Sequence, residues 1–118
     1  MTQVKASWDQ EAALQSVDGD TELLVEMAEL FLQDSARLLQ EIGEAVAAGD
    51  ASGLHRSAHT LKGSVANFAA EEACETAFQL EMMGRSGNLT GASERYTALA
   101  AAMHQVDADL LEFTRATA

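Results

Sequence analysis

His59 and its helical neighbours hold the chemistry that can be read from this chain. An exposed imidazole ionises near pH 6.5, so a large neutral fraction is available as a nucleophile near neutrality. Residues three and four apart share a helix face. His55, His59, Lys62, Gly63 and Ala66 therefore form one outward strip, beside an apolar stripe of Leu54, Ala58, Leu61, Val65 and Phe68. Lys62 lies at i+3 from the histidine and Arg56 at i−3. A phosphoryl group on the imidazole would bring about two negative charges at neutral pH. Lys62 could neutralise part of that charge and help a transition state that spreads it over equatorial oxygens. Gly63 follows one turn after His59. A glycine inside a helix costs about 1 kcal/mol relative to alanine, so it asks for a reason. Clearance is one, because an absent side chain lets another molecule approach the imidazole closely.

Each of these residues also has an ordinary explanation. A lone surface histidine on a helix usually carries no function, Lys62 alone is a solvated charge, and Gly63 alone could mark close helix packing. His55 and His59 are an i, i+4 pair able to chelate a metal, but no third ligand is evident beside them, so no metal site is expected. Cys74 reads as a small core or half-exposed residue. Met82 and Met83 read as gap fillers, and His104 as a surface residue.

Helices must position this strip. Ser7 reads as an N-cap, completed by Gln10 as a capping box, for a short helix to about Gln15. Val17-Asp18-Gly19-Asp20 reads as a turn with Asp20 as the next N-cap. A long helix is predicted over Thr21 to Ala48, with Leu23, Met27, Leu30, Phe31, Leu38, Ile42, Ala45 and Val46 inward. Gly49 ends it and Asp50 caps the next. That third helix runs from about Ala51 to Phe68, the fourth from Ala70 to Arg85 with Gly84 inward, and the last from Thr90 to Thr114. Four long helices with short connections predict an all-α, antiparallel four-helix bundle with a short extra N-terminal helix packed across it. Residues 1–6 read as a frayed N-terminus.

Length and composition agree. The 118 residues suit one domain with one core. Apolar residues make up 47%, aromatics 5%, and there is no proline, which favours helix over sheet. The formal charge is −12 with seven basic residues. No overall basic footprint exists for nucleic acid, and an anionic membrane is disfavoured for the same reason. Cys74 is the one cysteine, so no intrachain disulfide can form, as in a reducing compartment. No signal peptide and no apolar run of the roughly 20 residues a membrane span needs is evident. A soluble cytoplasmic protein is expected.

The segment Ala58-His59-Thr60-Leu61-Lys62-Gly63-Ser64-Val65-Ala66-Asn67-Phe68 closely resembles the signature of histidine phosphotransfer (HPt) domains. These are four-helix bundles that shuttle phosphoryl groups between receiver-domain aspartates in two-component phosphorelays. Asp18-Gly19-Asp20, Leu23-Leu24, Leu30-Phe31, Gly49-Asp50, Leu80-Glu81 and Gly84-Arg85 extend the resemblance over residues 16–86. It implies that His59 is the phosphoacceptor through Nε2, Lys62 its positive neighbour and Gly63 the access point. Ser64 would pack against a neighbouring helix. Glu81 would accept a hydrogen bond from Nδ1–H and fix the tautomer. Arg85 would be a nearby cation, able to pair with Glu81 at i+4. Two residues depart from the usual pattern. Ala69 stands where many members have glycine, which bears on the helix boundary. Glu81 stands where many have glutamine, and its charge would raise the basicity of the imidazole.

The implied partners are receiver domains of response regulators or hybrid histidine kinases, met by a monomer through a modest, transient interface. Gly63, Ala66, Met82 and Met83 are the docking candidates. The chain itself is expected to bind no cofactor, the receiver supplying Mg²⁺. No glycine-rich nucleotide loop is present, so self-phosphorylation from ATP is not expected. The rival is a non-catalytic interaction bundle that has kept the fold. A histidine-kinase dimerisation domain would need a different motif and a following ATPase domain. A metal-binding bundle would need inward Glu-x-x-His pairs.

Overall fold

The computed structural model describes residues 6–117. The reading of a frayed end over 1–6 falls almost wholly outside them. Five helices follow one another: α1 Gln10–Ser16, α2 Thr21–Ala48, α3 Ala51–Ala66, α4 Glu71–Ser86 and α5 Ala92–Ala116. No strand occurs among the described residues. The first three helices start on aspartates. Asp9, Asp20 and Asp50 accept from the backbone N–H groups of Ala12, Leu23 and Gly53 at 3.1, 3.0 and 2.9 Å. Each such cap stabilises its helix by about 1 kcal/mol. Gly49 (φ 67°) and Gly87 (φ 79°) end α2 and α4 in the left-handed region that glycine enters without strain.

The short connections fold the long helices back on one another. α2 packs on α3, α3 on α4, α4 on α5, and α5 on α2, while α1 touches α2. The bundle encloses Leu24, Ile42, Leu54, Leu61, Leu80, Leu99, Met103 and Leu110, all essentially inaccessible to water. At one end, Trp8 packs edge-on against Phe68 and Phe113, with ring centroids 6.2 and 5.1 Å away.

That aromatic cluster explains the first departure from the sequence reading. Ser7 is not an N-cap. Burying Trp8 places Ser7 over α5, where its Oγ donates to Asp109 Oδ2 at 2.6 Å. The chain then ties to the turn after α3 through Asp9 N–H and Phe68 C=O, 3.1 Å apart, so Asp9 becomes the cap. A second departure lies on α2. Leu23 and Leu30 point outward, 41% and 65% exposed. The buried stripe is instead Leu24, Ala28, Phe31, Ser35, Leu38, Ile42 and Ala45. Small Ala28 and polar Ser35 occupy core positions that hydropathy alone passes over.

The last helices begin and end slightly differently from expectation. α5 starts at Ala92 rather than Thr90, because Thr90 and Gly91 turn the chain, Gly91 with φ 84°. α3 ends at Ala66 rather than Phe68, and Phe68 is buried in the turn that follows. Ala69 reverses the chain with φ 50°. A left-handed conformation costs an L-residue about 1–2 kcal/mol, part of which glycine's greater freedom in the unfolded chain offsets. Ala69→Gly should therefore stabilise the protein by about 1 kcal/mol. The check is a higher denaturant midpoint at unchanged slope.

Candidate functional site

Where α3 meets α4, glycine sets the distance. A Cβ at Gly84 would stand 2.5 Å from His55 N, 2.7 Å from Ala51 O and 2.9 Å from His55 Cα, all backbone atoms. Only a residue without a side chain allows this approach. It brings Glu81, one turn earlier on α4, against three side chains of α3. The Glu81 side chain is 10% exposed, and its Oε2 lies 3.1 Å from Nδ1 of His59. Its Oε1 lies 2.7 Å from Nζ of Lys62. That oxygen makes no hydrogen bond of regular geometry, so the ion pair with Lys62 is its compensation. His55 Nε2 stands 4.0 Å from Oε2.

His59 itself reaches outward, its side chain 65% exposed. An ionised carboxylate can only accept, so a neutral ring that bonds it would carry its proton on Nδ1 and leave the Nε2 lone pair free. One turn on, a Cβ at Gly63 would meet nothing within 4 Å, so the space beside the ring is open. Lys62 is half-buried and also lies over the Phe78 ring, 5.2 Å from its centroid.

The electrostatics of Glu81 are a contest. Burial works to raise its proton affinity. The Lys62 ammonium and the His59 ring outweigh burial and hold the carboxyl below its ordinary value. A group held low in the folded state stabilises the fold above its ordinary range. That contribution is lost as pH falls through the folded value. Asp107 on α5 behaves oppositely: burial pushes it up, opposed by a hydrogen bond from Ser35 Oγ at 3.1 Å and the nearby His104. It lies between α2 and α5, away from His59.

Arg85 does not join this cluster. It is exposed, and among the described residues no ion pair links it to Glu81, whose carboxylate is turned to α3 instead. Arg56 donates to Ser52 Oγ at 2.9 Å. Ser64 is half-buried, donates to Thr60 C=O at 3.2 Å, and lines a groove between α2 and α3 with Leu38 and Asn67. Around the site, Ala66 and Gly63 are exposed, Met82 is 39% exposed and Met83 half-buried. Phe78, 41% exposed, is an apolar neighbour that the sequence reading missed. Its position three before Glu81 and four before Met82 was the available signal. Cys74 is half-buried. Among the described residues, no three His, Cys, Asp or Glu side chains are placed to hold a metal ion. No described helix is long and apolar enough to cross a membrane.

The helical bundle with exposed His59 on α3 has its counterpart in the Hpt domain family. The pattern of that family matches residues 26–109, well over half of the chain, and the chain belongs to it. Among solved structures, the fold is similar to that of histidine-containing phosphotransfer protein B (HptB) from Pseudomonas aeruginosa PAO1. The TM-score is 0.86 at 21% sequence identity, over 95% of this chain and 97% of that one. No curated protein matches the chain in sequence.

Proposed function

We propose that the chain is a phosphorelay intermediate that accepts a phosphoryl group on Nε2 of His59 from a receiver-domain aspartate and passes it to another. The observation that carries this reading is the arrangement of one imidazole: Nδ1 beside buried Glu81, the ring exposed, and open space over Gly63. The neutral ring attacks phosphorus in line. The Nε2–P bond forms as the acyl-phosphate P–O bond breaks, and the aspartate leaves as carboxylate with the electron pair. Nδ1 keeps its proton, so the ring becomes cationic. The Glu81 carboxylate lies where that charge develops, which favours uptake by stabilising the ring as it becomes cationic. Lys62 is close enough to share its ammonium between Glu81 and the incoming phosphoryl oxygens.

The receiver, not this chain, would hold the Mg²⁺ of the reaction. Gly63, Ala66, Met82, Met83 and Phe78 form the face that a receiver would cover, in a small and transient contact. The carrier would be cytoplasmic and monomeric, without kinase activity of its own; a single cysteine fits a reducing compartment, and the sequence has no glycine-rich nucleotide loop.

The test is transfer from a panel of phosphorylated receiver domains, with label on this chain that is acid-labile and base-stable. Absence of such label with every donor would end the proposal. Within the same assay, Glu81→Gln keeps an acceptor for Nδ1–H but removes the charge. Losing a charge-assisted contact should slow transfer roughly tenfold. Equal rates would remove the Glu81 charge from the mechanism.

A further inference from the structure

The Glu81 carboxylate has one more partner than phosphotransfer through His59 requires. His55 Nε2 lies 4.0 Å from the same Oε2 that meets His59. The two imidazoles come from successive turns of α3, with centroids 6.5 Å apart. The His55 backbone is also the point where α3 touches Gly84. Its side chain is 41% exposed, at the rim of a site whose carboxylate is only 10% exposed.

We propose that His55 is a positioning residue: from the solvent rim of Oε2 it holds the Glu81 carboxylate turned toward Nδ1 of His59. This deepens the phosphocarrier reading and rests on it. The terminal torsion of a glutamate is broad. Without His55, the carboxylate is held by Lys62 on Oε1 and by the exposed His59 ring on Oε2, and Oε2 could turn from that ring into competing water. A contact of 4.0 Å is too long for a direct hydrogen bond, but a polar N–H there still attracts the carboxylate without carrying a charge. Other charged groups do not hold that flank. Lys62 is on the opposite oxygen. Arg85, on the same helix as Glu81, is exposed and makes no ion pair with it among the described residues. From α5, Glu94 and Arg95 line a groove with Met82 and Met83 to which no residue of α3 contributes.

The experiment compares wild type with His55→Leu and His55→Gln by two readouts. The first is the tautomer of His59, read from ring-nitrogen NMR at about pH 8.5, where an ordinary imidazole is neutral. The second is phosphoryl uptake from phosphoramidate, a small donor that needs no docking. Wild type should hold His59 with its proton on Nδ1. His55→Leu should give a mixture of tautomers and an uptake about fivefold slower, the size of one modest polar contact. The amide introduced by His55→Gln reaches a similar place, so that variant should restore both to within about twofold. An unchanged His59 tautomer in His55→Leu overturns the proposal, as does a loss that His55→Gln does not restore. The tautomer readout needs no phosphorylation. Uptake that persisted in His59→Gln would therefore sink the phosphocarrier reading separately.

Discussion

His59→Gln is expected to take up no acid-labile phosphate from any receiver, a loss of about 10³-fold or more, while the fold stays intact. Removing a nucleophile removes the covalent intermediate itself, so no residual route through this chain exists. No other described side chain offers the same combination. His55 is turned with Nε2 toward Glu81, and His104 lies on α5, near Asp107 rather than in this cluster. Little stability should be lost, because the His59 side chain is 65% exposed. The amide of the variant can still donate to Glu81, and surface changes of this kind usually stay within about 0.5 kcal/mol. Thermal unfolding of the variant should therefore fall within about 3 °C of wild type. Label retained on the variant would move the phosphoacceptor elsewhere. Label lost along with the fold would leave the loss unattributed, so unfolding and uptake are measured on the same preparation.

Why His59 was legible and parts of its setting were not follows from what each residue responds to. Its exposure depends on helix periodicity alone. Ala58 and Leu61 are buried, and the ring turned about 100° from Ala58 must face outward. The contact with Glu81 needed the partner helix. It was reached through family resemblance, since no local rule links positions 59 and 81. Arg85 shows the limit of local rules. Its i+4 spacing from Glu81 permits an ion pair, but a carboxylate buried against α3 is held by Lys62, and a surface pair is worth too little to turn it around. Leu23 and Leu30 failed for a related reason. A core stripe is defined by what faces the neighbouring helices, and Ala28 and Ser35 belong to it although neither is strongly apolar. Ser7 failed because long-range burial of Trp8 outweighed a local cap.

The sharpest separation between structure and chemistry is expected from two glycines on the paired helices. Gly84→Ala should destabilise the protein by about 1–3 kcal/mol, although alanine is the better helix former by about 1 kcal/mol. Its Cβ would stand 2.5 Å from one backbone atom and 2.7 Å from another on α3, and backbone cannot rotate aside as a side chain tip can. The helices must separate there by the better part of an ångström. Glu81 is one turn away, and its 3.1 Å contact with His59 has little slack before it ceases to be a hydrogen bond. Uptake from phosphoramidate should therefore fall together with the unfolding midpoint. Gly63→Ala should do the reverse. A Cβ there meets nothing within 4 Å, so the helix gains about 1 kcal/mol of propensity and uptake from a small donor is kept. Transfer from a receiver should slow, because the added methyl group stands where the partner must approach. If Gly63→Ala left receiver transfer as fast as wild type, clearance would not be the reason for glycine at 63. If Gly84→Ala stabilised the protein, helix propensity would outweigh interhelical contact, and the close approach of α3 to α4 would not be what holds Glu81 against His59.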